Sequence, residues 1–137
     1  MRILVMGLPG SGKTEFSNQL KQELIRRNQS VTWYSADLVR EDYNDWDFSV
    51  EGRIRQANRM KDLSIKSSLE VDFVISDFVA PTVEIRNIFN ADLVIFMDTI
   101  EQGRYPNTNK VFERPKYYDY IINNFDYSIE KIVNEII

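Results

Sequence analysis

The chain contains no cysteine and no histidine among its 137 residues. Disulfide staples, thiol nucleophiles, zinc sites of the usual Cys/His kind, Ser-His-Asp triads and imidazole general bases are thereby excluded. Chemistry here must run on carboxylates, Lys and Arg, hydroxyls, backbone amides and bound Mg2+. Glycine and proline are sparse too, at five and four residues. No run approaches the ~20 apolar residues of a membrane helix. The N-terminus enters an apolar strand at once, without the longer apolar stretch and cleavage site of a signal peptide. A cytoplasmic protein with no membrane partner is the expectation.

What is present is ordinary for a globular protein, 43% hydrophobic and 28% charged. A chain of this length buries roughly two-thirds of its unfolded surface, so a single domain over residues 1–137 is expected. The net charge of −4 argues against a dedicated duplex-binding module. Arg53, Arg55, Arg59 and Lys61 make one segment locally basic; a solvated helix face explains that run as well as a strand-binding groove does. A homodimer is compatible with the composition.

The short apolar runs Arg2 to Met6, Phe73 to Ser76 and Leu93 to Met97 read as buried strands, Val31 to Ser35 reads as a second strand in the chain, and Tyr120 to Ile122 makes a fifth. Phe16, Leu20 and Leu24 stand at helical spacing, as do Val50, Ile54, Ala57 and Met60 behind a candidate cap at Ser49. A third helix can begin at Pro81, a favoured first position. The last carries Ile129, Ile132, Val133 and Ile136 on one face behind Ser128. Strand and helix alternate, which implies an α/β three-layer fold with a five-stranded parallel sheet covered on both faces. Asp37, Arg40 and Trp46 fall in an expected polar loop. Residues 100–116, with Gly103, Pro106 and Pro115, are the least regular stretch and read as a mobile lid.

Gly7-Leu8-Pro9-Gly10-Ser11-Gly12-Lys13-Thr14 matches G-x-x-x-x-G-K-[ST] between a strand and a helix, the context this phosphate-binding loop needs. The glycines let backbone N–H groups form a concave nest, and the helix start adds its positive dipole end. Lys13 is expected to reach the β- and γ-phosphates of ATP, and the Thr14 hydroxyl to coordinate the bridging Mg2+. Asp37, after the second strand, can accept the proton of an attacking hydroxyl or hold Mg2+ through water. Asp77, at the end of the third strand, can take that metal role instead. For both carboxylates the alternative is an ordinary cap or turn.

The segments GLPGSGKT, SADLVR, DFSVEGR and VISDFVAPTVEIR, in this order over roughly residues 1 to 100, resemble adenylylsulfate kinases. The resemblance implies a P-loop kinase fold with strand order 2-3-1-4-5 and transfer of the ATP γ-phosphoryl to a hydroxyl of a small anionic substrate. It also implies that Phe48 stacks on the substrate base, that Arg53 holds the substrate anion and that Arg40 adds to the grip. The family pattern Asp-Gly-Asp-x-x-Arg reads Ser35-Ala36-Asp37-Leu38-Val39-Arg40 here, Gln56 stands where the family has Asn, and the family's lid motif has no match within Gln102 to Tyr118. A nucleoside, nucleotide or modified nucleic-acid base is therefore an alternative acceptor, and an ATP-binding regulator without phosphotransfer is the reading of another class. Arg86 is a further candidate for the acceptor anion, Arg104 and Lys110 are candidate lid cations, and Trp46 is a second candidate for stacking.

Overall fold

Each of the five expected strands forms in the computed structural model, which describes residues 1–137. They are β1 (Arg2–Met6), β2 (Val31–Ser35), β3 (Phe73–Asp77), β4 (Leu93–Met97) and β5 (Tyr120–Ile122). All pairs are parallel, in the order β2-β3-β1-β4-β5. The helices are α1 (Lys13–Arg26), α2 (Ala36–Tyr43), α3 (Val50–Ser68), α4 (Val83–Phe89), α5 (Pro106–Val111) and α6 (Ile129–Ile136). The architecture is the P-loop kinase fold.

Alternation along the central strand β1 divides the core, because successive side chains point to opposite faces. Ile3 and Val5 pack with Phe16, Leu20 and Leu24 of α1 and Ile132 and Val133 of α6. Leu4 and Met6 pack on the other face with Ala57 and Met60 of α3 and Ile85 and Phe89 of α4. Phe16 and Phe89 are both wholly buried; truncating either to alanine should cost roughly 3–5 kcal/mol. Caps set the helix starts. Ser49 Oγ accepts from the Gly52 amide at 3.1 Å and Ser128 Oγ from the Lys131 amide at 3.2 Å, as the sequence pattern implies.

Three local expectations are corrected. The polar stretch after β2 is not a loop at its start: Ala36–Tyr43 is helical, and Val39 and Arg40 are the only residues it buries. The helix expected from Pro81 begins later, because Thr82 is the cap and its Oγ1 accepts from the Ile85 amide at 3.2 Å. The segment 100–116 contains α5, with Pro106 in its first turn.

That segment is also tied down. Asn109 exchanges two hydrogen bonds with the Gly103 backbone, at 2.8 and 2.9 Å, and the Glu113 amide donates to Pro81 O at 2.7 Å. Arg114 grips Asp98 with both terminal nitrogens, at 2.9 and 2.7 Å. No helix of the protein is long and apolar enough to cross a membrane.

Candidate phosphate-binding active site

Residues 7–14 leave the carboxyl end of β1 and turn into α1. Gly7 passes so close to β4 that a Cβ there would lie 2.6 Å from Met97 O. Gly12 adopts φ +94, a conformation that requires glycine; the exposed Phe125 ring lies over it, with Cε1 2.6 Å from where a Cβ would be. Two hydrogen bonds hold the turn: the Ser11 amide donates to Leu8 O at 3.1 Å, and Thr99 Oγ1 donates to Ser11 O at 2.8 Å. Ser11 Oγ is buried without a protein partner, an orphaned polar atom where an oxyanion ligand or water would satisfy it.

Lys13 Nζ donates to Leu8 O at 3.1 Å. Burial lowers the pKa of its ammonium to about 8; the nearby Asp77 and Asp37 carboxylates oppose that shift, and Arg104 adds to it. Asp77 ends β3 and is 4% exposed. Burial raises the pKa of its carboxyl, while the Trp33 hydrogen bond and the Lys13 charge favour the ionised form. Trp33 Nε1 donates to Asp77 Oδ2 at 2.7 Å. Ser17, one helical turn past Lys13, is wholly buried, and its hydroxyl has this carboxylate as its polar neighbour, favouring the ionised form.

Asp37 lies exposed in the first turn of α2, close enough to favour the Lys13 charge. Arg40 is buried. Its Nη1 donates to Asp45 O at 3.0 Å and Asp47 O at 3.1 Å, so it holds the loop between α2 and α3. Its guanidinium also lies 4.2 Å from the Phe48 ring centroid, with that of Arg53 at 5.7 Å. Arg53 Nε donates to Phe48 O at 2.8 Å, and its Nη2 reaches Thr108 Oγ1 of α5 at 3.4 Å. Arg40, Phe48 and Arg53 therefore form one cluster at the amino end of α3, with α5 beside it.

The remaining candidates separate. Arg86 donates to Ala80 O at 2.8 Å and to Glu113 O, bracing the lid segment rather than joining Arg53. Arg55 and Arg59 are engaged by Asp45 at 2.7 and 3.0 Å. Trp46 is exposed. Arg104 comes back over the phosphate loop, its Nη2 3.6 Å from where a Gly10 Cβ would be, while Lys110 is exposed on α5. A cavity of about 130 Å3 between Leu8, the end of β4 and α5 is lined in part by Phe96, Phe112 and the Asp98–Arg114 pair.

Four residues at this site were not singled out in the sequence: Trp33, Ser17, Thr99 and Phe125. Only Trp33 carried a signal, since an indole in a strand brings an N–H that needs a partner. No group of three metal-ligating side chains is present. Mg2+ keeps waters and takes one or two carboxylates plus phosphate oxygens. Thr14, exposed at the loop's end, and Asp77, opposite Lys13, suit it.

Over residues 1–86 the chain matches the family model described as chromatin associated protein KTI12. It belongs to the KTI12 family. This family match contains every residue assigned above to the phosphate loop and to the Arg40, Phe48 and Arg53 cluster. The KTI12-family chain is also 33% identical over 75 residues to an L-seryl-tRNA(Sec) kinase of Methanococcus maripaludis. The match spans 55% of this chain and 28% of that relative's length. Among solved structures it resembles the Mycobacterium tuberculosis APS kinase CysC in complex with AMPPNP and APS, at a TM-score of 0.77 and 20% identity over 98% of this chain and 94% of that one. Shikimate kinase from Aquifex aeolicus is similar at a TM-score of 0.63 and 20% identity, covering 99% and 93%. The fold expected from the adenylylsulfate kinase resemblance is the fold observed.

Proposed function

We propose that this protein is an ATP-dependent phosphotransferase that moves the γ-phosphoryl group to a hydroxyl of an anionic acceptor. The observation that carries the reading is the glycine loop that opens α1 with Lys13, whose ammonium lies within electrostatic reach of Asp77 and Asp37, together with the arginine and aromatic cluster at the start of α3. Kinase-fold neighbours and the 75-residue likeness to a seryl-tRNA(Sec) kinase support it.

The loop amides and the N-terminus of α1 bind the β- and γ-phosphates, and Lys13 neutralises charge that builds on the oxygen bridging them. Thr14 and Asp77 are the residues that would hold Mg2+, which when bound would supply further charge neutralisation on the phosphate oxygens. Asp37 orients the acceptor hydroxyl and takes its proton as the new O–P bond forms. The bond from the γ-phosphorus to the bridging oxygen breaks in line, and ADP leaves with the electron pair. Arg53 grips the acceptor anion and Phe48 packs against its base, with Arg40 supporting the aromatic ring from the buried side. The proposed setting of this reaction is the cytoplasm, with ATP and Mg2+ as its cofactors.

Adenylylsulfate is the acceptor implied by the sequence resemblance, a tRNA-linked hydroxyl is the class favoured by the seryl-tRNA(Sec) kinase likeness, and a nucleoside or nucleotide is the remaining alternative. Incubating the protein with γ-labelled ATP and a panel of adenylylsulfate, seryl-tRNA, nucleosides and nucleotides tests all three. Label in one acceptor supports the reading, and ATP hydrolysis with no labelled acceptor contradicts it. The latter result would favour a nucleotide-driven regulator. The commitment of Arg40 to the Asp45 and Asp47 carbonyls, which leaves fewer cations for an acceptor, is the observation on that side.

A further inference from the structure

The sheet places Trp33 and Asp77 on adjacent strands, with Trp33 opposite Ile75 and Ser35 opposite Asp77. Residues two apart share a face, so the indole and the carboxylate both lie on the α1 side. There Trp33 packs against the cluster containing Phe16 and Leu20. A phenylalanine could cover the same apolar surface. What the indole adds is one N–H, and that N–H donates to Asp77 Oδ2 at 2.7 Å. That is the short, well-aligned bond to this carboxylate; the buried Ser17 hydroxyl and the Lys13 charge also favour its ionised form.

We infer that Trp33 is a positioning residue: by holding Oδ2 of Asp77 it fixes the carboxylate's rotation and aims Oδ1 at the phosphate-loop side, where Mg2+ waters are to be held. This rests on the reading that Asp77 serves the metal. Partners that orient a ligating group from behind are worth about 10- to 100-fold in metal affinity. The arrangement also makes Trp33 a built-in reporter of what happens at Asp77.

The test uses the full chain carrying Trp46→Phe, so that Trp33 is its one indole; Trp46 is exposed and lies outside the proposed machinery. ADP is held at saturation and MgCl2 is titrated, with Trp33 emission and calorimetric ADP affinity as the readouts. The parent should show an emission change that saturates with Mg2+. Trp33→Phe, read by calorimetry, should raise the half-saturating Mg2+ at least tenfold while leaving Mg2+-free ADP affinity unchanged. Val31→Ala, which thins the same apolar cluster without touching Asp77, should lower the melting temperature and leave the Mg2+ dependence alone. In an Asp77→Asn background the Trp33→Phe effect should vanish.

If Asp77→Asn shifts the Mg2+ dependence and Trp33→Phe does not, the positioning role is overturned while the kinase reading stands. Equal shifts for Val31→Ala and Trp33→Phe also overturn it. If Asp77→Asn itself has no effect on the Mg2+ dependence, the metal role of Asp77 fails and the positioning role with it.

Discussion

Lys13 hydrogen-bonds the carbonyl of Leu8, five residues back in its own loop, at 3.1 Å. This contact and the surrounding burial hold an ammonium whose pKa is lowered to about 8. Phosphate oxygens would replace the Leu8 carbonyl as acceptor and add negative charge, raising that pKa. Between pH 8 and the higher pKa of the complex, the bound form carries more protons than the free form. We predict that nucleotide binding takes up a proton above pH 8 and that affinity falls as pH rises through that value. Calorimetry of ADP binding in buffers of different ionisation enthalpy measures the uptake; none at pH 8.5 would contradict the assignment.

Lys13→Ala should abolish ATP turnover while preserving the fold, because the side chain projects toward the phosphate site and its one hydrogen bond is to the loop itself. Circular dichroism and turnover on the purified variant check both halves. Wild-type turnover would refute the phosphate-loop reading.

Asp37 and Asp77 are expected to fail differently. Asp37 is exposed on α2, and Asp77 is buried at the end of β3. Asp37→Asn should lower kcat by ~10²-fold or more with little change in ATP affinity, as for a group acting on the nucleophile. Asp77→Asn should chiefly weaken the Mg2+ dependence. The kinetic constants for ATP and Mg2+ in each variant separate the roles, and identical profiles would show that they are not divided.

The cluster at α3 gives a third contrast. Arg53→Ala removes the charge-assisted contacts to an acceptor anion, a loss of roughly 1.5–3 kcal/mol or about 10- to 150-fold in affinity. Phe48→Ala should cost about 1–3 kcal/mol if a base stacks there. Both should raise the acceptor KM far more than that of ATP. Lower melting temperatures with unchanged constants would reduce the cluster to a scaffold.

Asp45 accepts from Arg55 at 2.7 Å and Arg59 at 3.0 Å, and these contacts hold its pKa far below the usual carboxylate range. A carboxylate depressed in the folded state stabilises above its unfolded pKa, 3.8, and that contribution is lost as pH falls below it toward the folded value. Asp45→Asn should therefore be less stable at neutral pH and show a shallower stability loss below pH 4. Melting curves at pH 7, 4 and 3 check the sign; an unchanged acid slope would contradict it.

Most of the fold was legible because β1, β3 and β4 are short apolar runs, and β2, though half-buried throughout, carries the Val, Thr, Trp and Tyr that favour strands. The helix α2 was not. Its eight residues bury only Val39 and Arg40 and expose Leu38, so the hydrophobic period that reveals a helix is missing. In the site, the phosphate loop was readable because its backbone geometry demands glycine at fixed spacing. The contact of Trp33 with Asp77 joins residues 44 apart through strand pairing, and a buried arginine such as Arg40 looks like a solvated one until its carbonyl partners are placed around it.

The most direct test of the whole account is transfer of label from γ-labelled ATP, with wild type and Lys13→Ala side by side on the acceptor panel. The account predicts that one hydroxyl acceptor gains a phosphate monoester, one ADP forming per acceptor labelled, and that the variant transfers none. ATP bound or hydrolysed by the wild type with every acceptor unlabelled would contradict it.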